Sequence, residues 1–270
     1  MQKMKNYAQR LCVAICVLSA FGFMARWIQN ISIFEKDTGL AIEGASSSIF
    51  LVLFSIATIG GFIAMTLPLL HLGVGDYPAG DVRGDNTLYK VVTSICALMM
   101  LAGGTLMMLK SGEELYPQLR RILGLLAVVS ALGMYYIGRT GKNGADSALA
   151  CLGTIVPVLF GCFWLIVSYK DHASNPVIWS YAVEIIAIAC ATEALYLIAG
   201  FVFGRPRIVP AVAVNAFAAF FCFMELGDDR GFAFQICFAA LGLFFVVTVY
   251  TLVSGLSPER RRFNHLKNES

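Results

Sequence analysis

The chain has 270 residues, 58% of them hydrophobic and only 14% charged, with a formal net charge of +3. Soluble domains carry about 25% charged residues, so 20 Lys and Arg with 17 Asp and Glu cannot coat a water-facing surface of this size. The shortage argues against a soluble catalytic domain. The mild basic excess, with no basic run interleaved with aromatics, argues against a nucleic-acid partner.

A helix crosses ~30 Å of hydrocarbon with about 20 apolar residues, at ~1.5 Å per residue. Eight segments satisfy that rule, taken here in chain order. Residues 11–28 follow a basic start of Lys3, Lys5 and Arg10. This resembles a signal peptide, but no small-x-small cleavage site follows and the run is long, so it is read as a retained helix. A lipoprotein box fails too, because Ile15 precedes Cys16. Residues 49–70 form the second segment, closed by Gly73, Gly75, Pro78 and Gly80, and residues 91–109 form the third. Pro117 precedes the fourth, 122–138, and Gly141 and Gly144 separate it from the fifth, 148–169. Asn175 and Pro176 read as a cap and first-turn proline opening the sixth, 177–203. Gly204, Pro206 and Pro210 make a tight turn into the seventh, 208–226, which makes these two an antiparallel pair. The eighth is 232–255. Barrel strands would alternate apolar and polar residues, whereas these runs are continuous. The sequence therefore predicts an all-α polytopic transmembrane helix bundle, one integral membrane unit of about eight spans. A four-plus-four split fits the count, but the halves show no sequence similarity.

Orientation follows from Lys and Arg, which concentrate on the cytoplasmic side. With both termini cytoplasmic, that side holds 13 of the 20, among them Arg139, Arg205, Arg207 and the tail cluster Arg260, Arg261 and Arg262. The outer side holds Arg26, Lys36, Lys110, Arg120, Arg121, Lys170 and Arg230. The connection carrying Glu225, Asp228 and Asp229 is acidic and fits the outer side. The reading places the chain in a bacterial cytoplasmic membrane.

No cofactor is implied. Haem needs axial ligands, yet none of His71, His172 and His265 lies in the middle of a segment, and the first two fall on opposite faces. Retinal needs a buried Lys, and Lys90, Lys110 and Lys170 all stand at segment ends. The eight cysteines lie in apolar stretches without a Cys-x-x-Cys pair or a neighbouring His, and read as small apolar residues. Gly73-Val74-Gly75-Asp76 matches the Gly-x-Gly-Asp pattern of intramembrane aspartyl proteases, but no helix-embedded second Asp accompanies it, so it reads as a turn. Arg83-Gly84-Asp85 reads as a chance triplet. No Walker motif, Gly-x-Ser-x-Gly elbow or His-Glu-x-x-His is present.

The sixth segment carries Glu184 and Glu193. A charged group at the centre of a bilayer costs roughly 2.5–3.5 kcal/mol on insertion scales, so it needs a partner or a role. No Lys or Arg of the sequence lies mid-span to pair with either. Nine residues at ~100° each put the two on nearly opposite faces. Tyr181 shares a face with Glu184 and Tyr196 with Glu193, and Asn215 in the seventh segment is a further polar candidate. These five are the candidate residues for binding a small solute, cation or proton. The first functional expectation is a small-solute or ion transporter, or a permease-like subunit, with Glu193 as the coupling carboxylate. The second is a non-catalytic scaffold, regulator or assembly subunit, whose partners would be another membrane protein or further copies of the chain. In that case the glutamates glue helices together. The third is a lipid-acting membrane enzyme near Arg139, Lys142 and Asp146.

Overall fold

In the computed structural model, residues 2–32, 46–71, 86–113, 116–139, 148–173 and 177–256 are described. They form eight long helices and, among the described residues, no strand. The helices are α1 (Gln2–Ser32), α2 (Ser46–His71), α3 (Thr87–Lys110), α4 (Pro117–Arg139), α5 (Ala148–His172), α6 (Ala182–Val202), α7 (Ile208–Glu225) and α8 (Phe232–Ser254). Each is long and apolar enough to cross a membrane.

Local signals set several of the helix ends. Asn86 caps α3, its Oδ1 accepting from the Leu88 amide at 3.1 Å. Pro117 opens α4, where its missing N–H costs nothing. Gly204, at φ +68°, ends α6, and the Arg205 amide reaches back to the Gly200 carbonyl at 2.8 Å. That is a Schellman motif, which turns the chain sharply so that α7 packs against α6. The start of α6 differs from the sequence expectation. Asn175 and Pro176 lie outside the described residues, and a 3₁₀ turn over Ile178–Ser180 precedes a helix that begins only at Ala182. The turns assigned to Gly73–Asp76, Pro78, Gly80, Gly141 and Gly144, the Arg83–Asp85 triplet and the basic tail also lie outside the described residues.

Helix α8 is the hub. It packs against α1, α3 and α7, while α3, α4, α5, α6 and α7 each pack against the next in a partial ring. Trp164 of α5 closes that ring onto α8, its rings packed at a tilt against Phe238 at 4.6 Å and Phe234 at 5.8 Å. Helix α2 is peripheral and rests on α1 and α7. Small residues allow the closest approach. A Cβ on Gly124 of α4 would sit 2.7 Å from the Gly104 carbonyl oxygen of α3, and a Cβ on Gly104 would sit 2.8 Å from that of Gly124. Such backbone contact is how helices associate where lipid offers no hydrophobic drive.

The outer surface is apolar. Leu98, Leu109, Phe21, Ile63 and Leu152 are all exposed on the sides of the bundle, a belt that water would not tolerate and lipid tails cover. The chain is built as a multi-pass membrane protein. One end of the bundle gathers the ends of α1, α5 and α7 with the starts of α4, α6 and α8, as the ion pairs below require. The start of α1 and the end of α8 therefore share the opposite end, where Tyr7 of α1 hydrogen-bonds the Met65 carbonyl near the end of α2.

Candidate functional site

The charged residues of the described chain are not scattered over that first end; several are gathered inside it. Arg26, in the last turns of α1, is fully buried. Its Nε and Nη2 grip the carboxylate of Asp228 at 2.6 and 2.8 Å, and its Nη1 donates to Gln29 Oε1 at 2.7 Å. A two-pronged guanidinium–carboxylate contact is the strongest kind such groups make. Asn30 adds a bond to Asp228 Oδ1 at 2.5 Å, and Gln235 of α8 donates to the Asp228 carbonyl at 3.1 Å. The first helix is thereby fastened to the α7–α8 connection 202 residues away.

Arg230, two residues further on, is the second centre. Its Nε donates to Glu225 Oε1 at 3.1 Å and its Nη2 to the Ser180 carbonyl at 2.6 Å. Its Nη1 lies 3.2 Å from Glu184 Oε2 and 3.0 Å from His172 Nε2. Arginine has no acceptor, so His172 Nε2 accepts here. Its Nδ1 carries the proton and donates to the Ser168 carbonyl at 2.9 Å. The imidazole also stacks on Tyr181 with ring centres 4.7 Å apart. Burial by itself lowers the proton affinity of Arg230, but the carboxylates of Glu184, Glu225 and Asp228 outweigh it and hold the guanidinium above its ordinary range. A third pair, Arg120 of α4 and Asp171 of α5 at 2.5 Å, borders the same region, with the Arg120 guanidinium 4.5 Å over the Phe234 ring.

Two cavities flank Arg230. The larger, about 670 Å³, is bounded by Phe23, Trp27 and Asn30 of α1 together with Asp228, Arg230 and Gln235. The smaller, about 240 Å³, is walled by Arg120, Asp171, His172, Glu184 and Arg230 against Trp164 and Phe234. At ~30 Å³ per water it has room for about eight waters or one small polar molecule. Donors and carboxylates alternate around it, so it suits a zwitterion or an ion with its hydration better than a greasy ligand.

The five residues singled out from sequence take separate places. Glu184 lies in this cluster, buried in the first turn of α6, where the positive end of the helix favours a carboxylate. It has a cationic partner in Arg230, correcting the expectation that none is at hand. The correction arises because α6 starts at Ala182, which leaves Glu184 at the bundle end rather than inside the hydrocarbon. Tyr181 joins the cluster through His172. Glu193 and Tyr196 do not, because both are exposed on the outer face of α6 near its middle. Asn215 is fully buried in α7; its Nδ2 donates to the Ala211 carbonyl at 2.7 Å, and its Oδ1 has no hydrogen-bond partner among the described residues. Sequence reasoning missed Arg26, His172, Glu225, Asp228 and Arg230 as site residues. One signal was present in Arg26, an arginine inside the first apolar run and so in need of a buried partner.

Comparison with known proteins finds no matching family, no similar curated protein and no similar solved structure.

Proposed function

We propose that this chain is a transporter-like membrane protein for a small polar solute or ion, with Glu184 as the binding carboxylate at the smaller cavity. One observation supports it above the others: a largely buried carboxylate lines a cavity of small-molecule size together with His172, Arg230 and the Arg120–Asp171 pair. Buried carboxylates that face a cavity within a membrane bundle mark ion and substrate paths. The distribution of Lys and Arg favours this end on the outer face and both termini in the cytoplasm, and a bacterial cytoplasmic membrane belongs to the same proposal. Of the two glutamates of α6, Glu184 carries the reading, because Glu193 faces away from the cavity. The test is current from proteoliposomes on a solid support after concentration jumps of sodium, ammonium, formate and glycine. At least one probe gives a transient that Glu184→Gln abolishes while the variant stays monodisperse. Absence of any Glu184-dependent transient refutes the reading.

Glu193 favours a second reading, an assembly subunit. A carboxyl facing lipid in the middle of a span is expensive, and a helix of another membrane protein or of a second copy that hydrogen-bonds it removes that cost. Tyr196, 60% exposed one turn on, extends the same face. Native mass spectrometry from nanodiscs tests this: a complex present in the wild type and lost in Glu193→Leu supports it, and a monomer in both refutes it.

A further inference from the structure

The charges around Arg230 do not balance. Arg26 and Asp228 neutralise one another in their two-pronged contact, and Arg120 and Asp171 form a second pair. That leaves Arg230 with two carboxylates, Glu225 at 3.1 Å and Glu184 at 3.2 Å, and only a distant 3.5 Å approach to Asp228. His172 cannot supply the missing positive charge while its Nε2 accepts from Arg230. The Glu225 side chain is wholly buried, and its Oε2 has no hydrogen-bond partner among the described residues; Glu184 Oε2, 92% buried, has no contact of hydrogen-bond geometry either. An ionised oxygen buried in this way costs far more than a neutral hydroxyl in the same place.

We infer that Glu184 and Glu225 share one proton across Arg230, resting mainly on Glu225, so that the outer end of the bundle is a proton-binding site. The ligand is a proton rather than a metal ion. Glu225 lines neither of the two cavities beside Arg230, and no group of three or more metal-ligating side chains occurs among the described residues. The charged groups that act on Glu225 are Asp228 and Arg230 from the connection, Glu184 from α6 and Arg26 from α1. His172 of α5 stands 3.8 Å from Glu184. Of the pair, Glu184 is the one that lines the smaller cavity beside Arg230, which gives protons a route in and out. The inference deepens the proposed transport by naming the proton as coupling ion, and it rests on that reading only for this consequence.

The test is infrared spectroscopy of the protein in nanodiscs at neutral pH, reading the D₂O-sensitive C=O stretch of protonated carboxyl groups. A Glu193→Gln background removes the lipid-facing carboxyl from the spectrum. In that background the band is present. It loses one component in Glu225→Gln and also in Glu184→Gln, since either substitution leaves Arg230 a single carboxylate that then ionises. Arg230→Gln, which removes the shared cation, enlarges the band to about twice that component. Absence of the band before these substitutions, its survival in either Gln variant, or an unchanged band in Arg230→Gln overturns the inference. Transport is read separately, as proton flux into dye-loaded proteoliposomes. A normal spectrum without flux sinks the transporter reading alone; Glu184-dependent current with the wrong spectrum sinks the proton site alone.

Discussion

Replacing Arg26 with methionine removes the guanidinium that fastens α1 to the α7–α8 connection while keeping most of its apolar stem. Removing one partner of a buried ion pair costs about 3–5 kcal/mol, because the other charge is left uncompensated. The structure places Arg26→Met at the lower end, near ~3 kcal/mol. Asp228 keeps the Asn30 amide at 2.5 Å and the 3.5 Å approach of Arg230. It loses the contacts at 2.6 and 2.8 Å, and Gln29 loses its bond from Nη1. The companion Arg26→Met/Asp228→Leu removes both charges, and an apolar pair in place of a buried ion pair is close to neutral. The double variant is therefore more stable than Arg26→Met alone. Reversible unfolding in dodecyl maltoside–SDS mixed micelles measures both. A loss under about 1 kcal/mol for Arg26→Met, the level of an exposed pair, or a double variant weaker than the single, refutes the assignment of Asp228 as a buried charge held by Arg26.

Gly124→Val drives a side chain into the Gly104 carbonyl and Met108, where even a Cβ would sit 2.7 and 2.6 Å away; the same unfolding assay is expected to show a loss of about 1–3 kcal/mol, the usual cost of overpacking. Trp164→Ala opens a hole against Phe160, Phe234 and Phe238 and is expected to cost about 3–5 kcal/mol, with α5 loosening from α8 first in hydrogen exchange. Asn215→Leu removes a buried amide whose Oδ1 lacks a hydrogen-bond partner among the described residues. Its thermal midpoint in detergent is expected to hold or rise, and a marked drop would mean that the amide oxygen is bonded in the membrane.

The eight spans were legible in the sequence because hydrocarbon imposes a length and forbids exposed backbone, so a continuous apolar run has one stable form. The opposed faces of Glu184 and Glu193 were legible as well, since helical periodicity fixes the angle between them. Which face turns inward was not. That depends on α5 and α7 covering one side of α6, and on a helix start five residues later than the Asn175–Pro176 signal suggested, which moves Glu184 from the lipid depth to the bundle end. The third and fourth helices show the same division in their packing. Glycines stand in both runs, but only the fold says that Gly124 meets Gly104.

Sequence by itself determined what surrounds the chain and how often it crosses, because those follow from the transfer of each residue between water and lipid. Tertiary structure alone decided that Arg26, Glu184, Asp228 and Arg230 meet at one end. Charges at span ends are ordinary in any membrane protein, and their pairing across 202 residues is a fact of helix packing that no local pattern encodes.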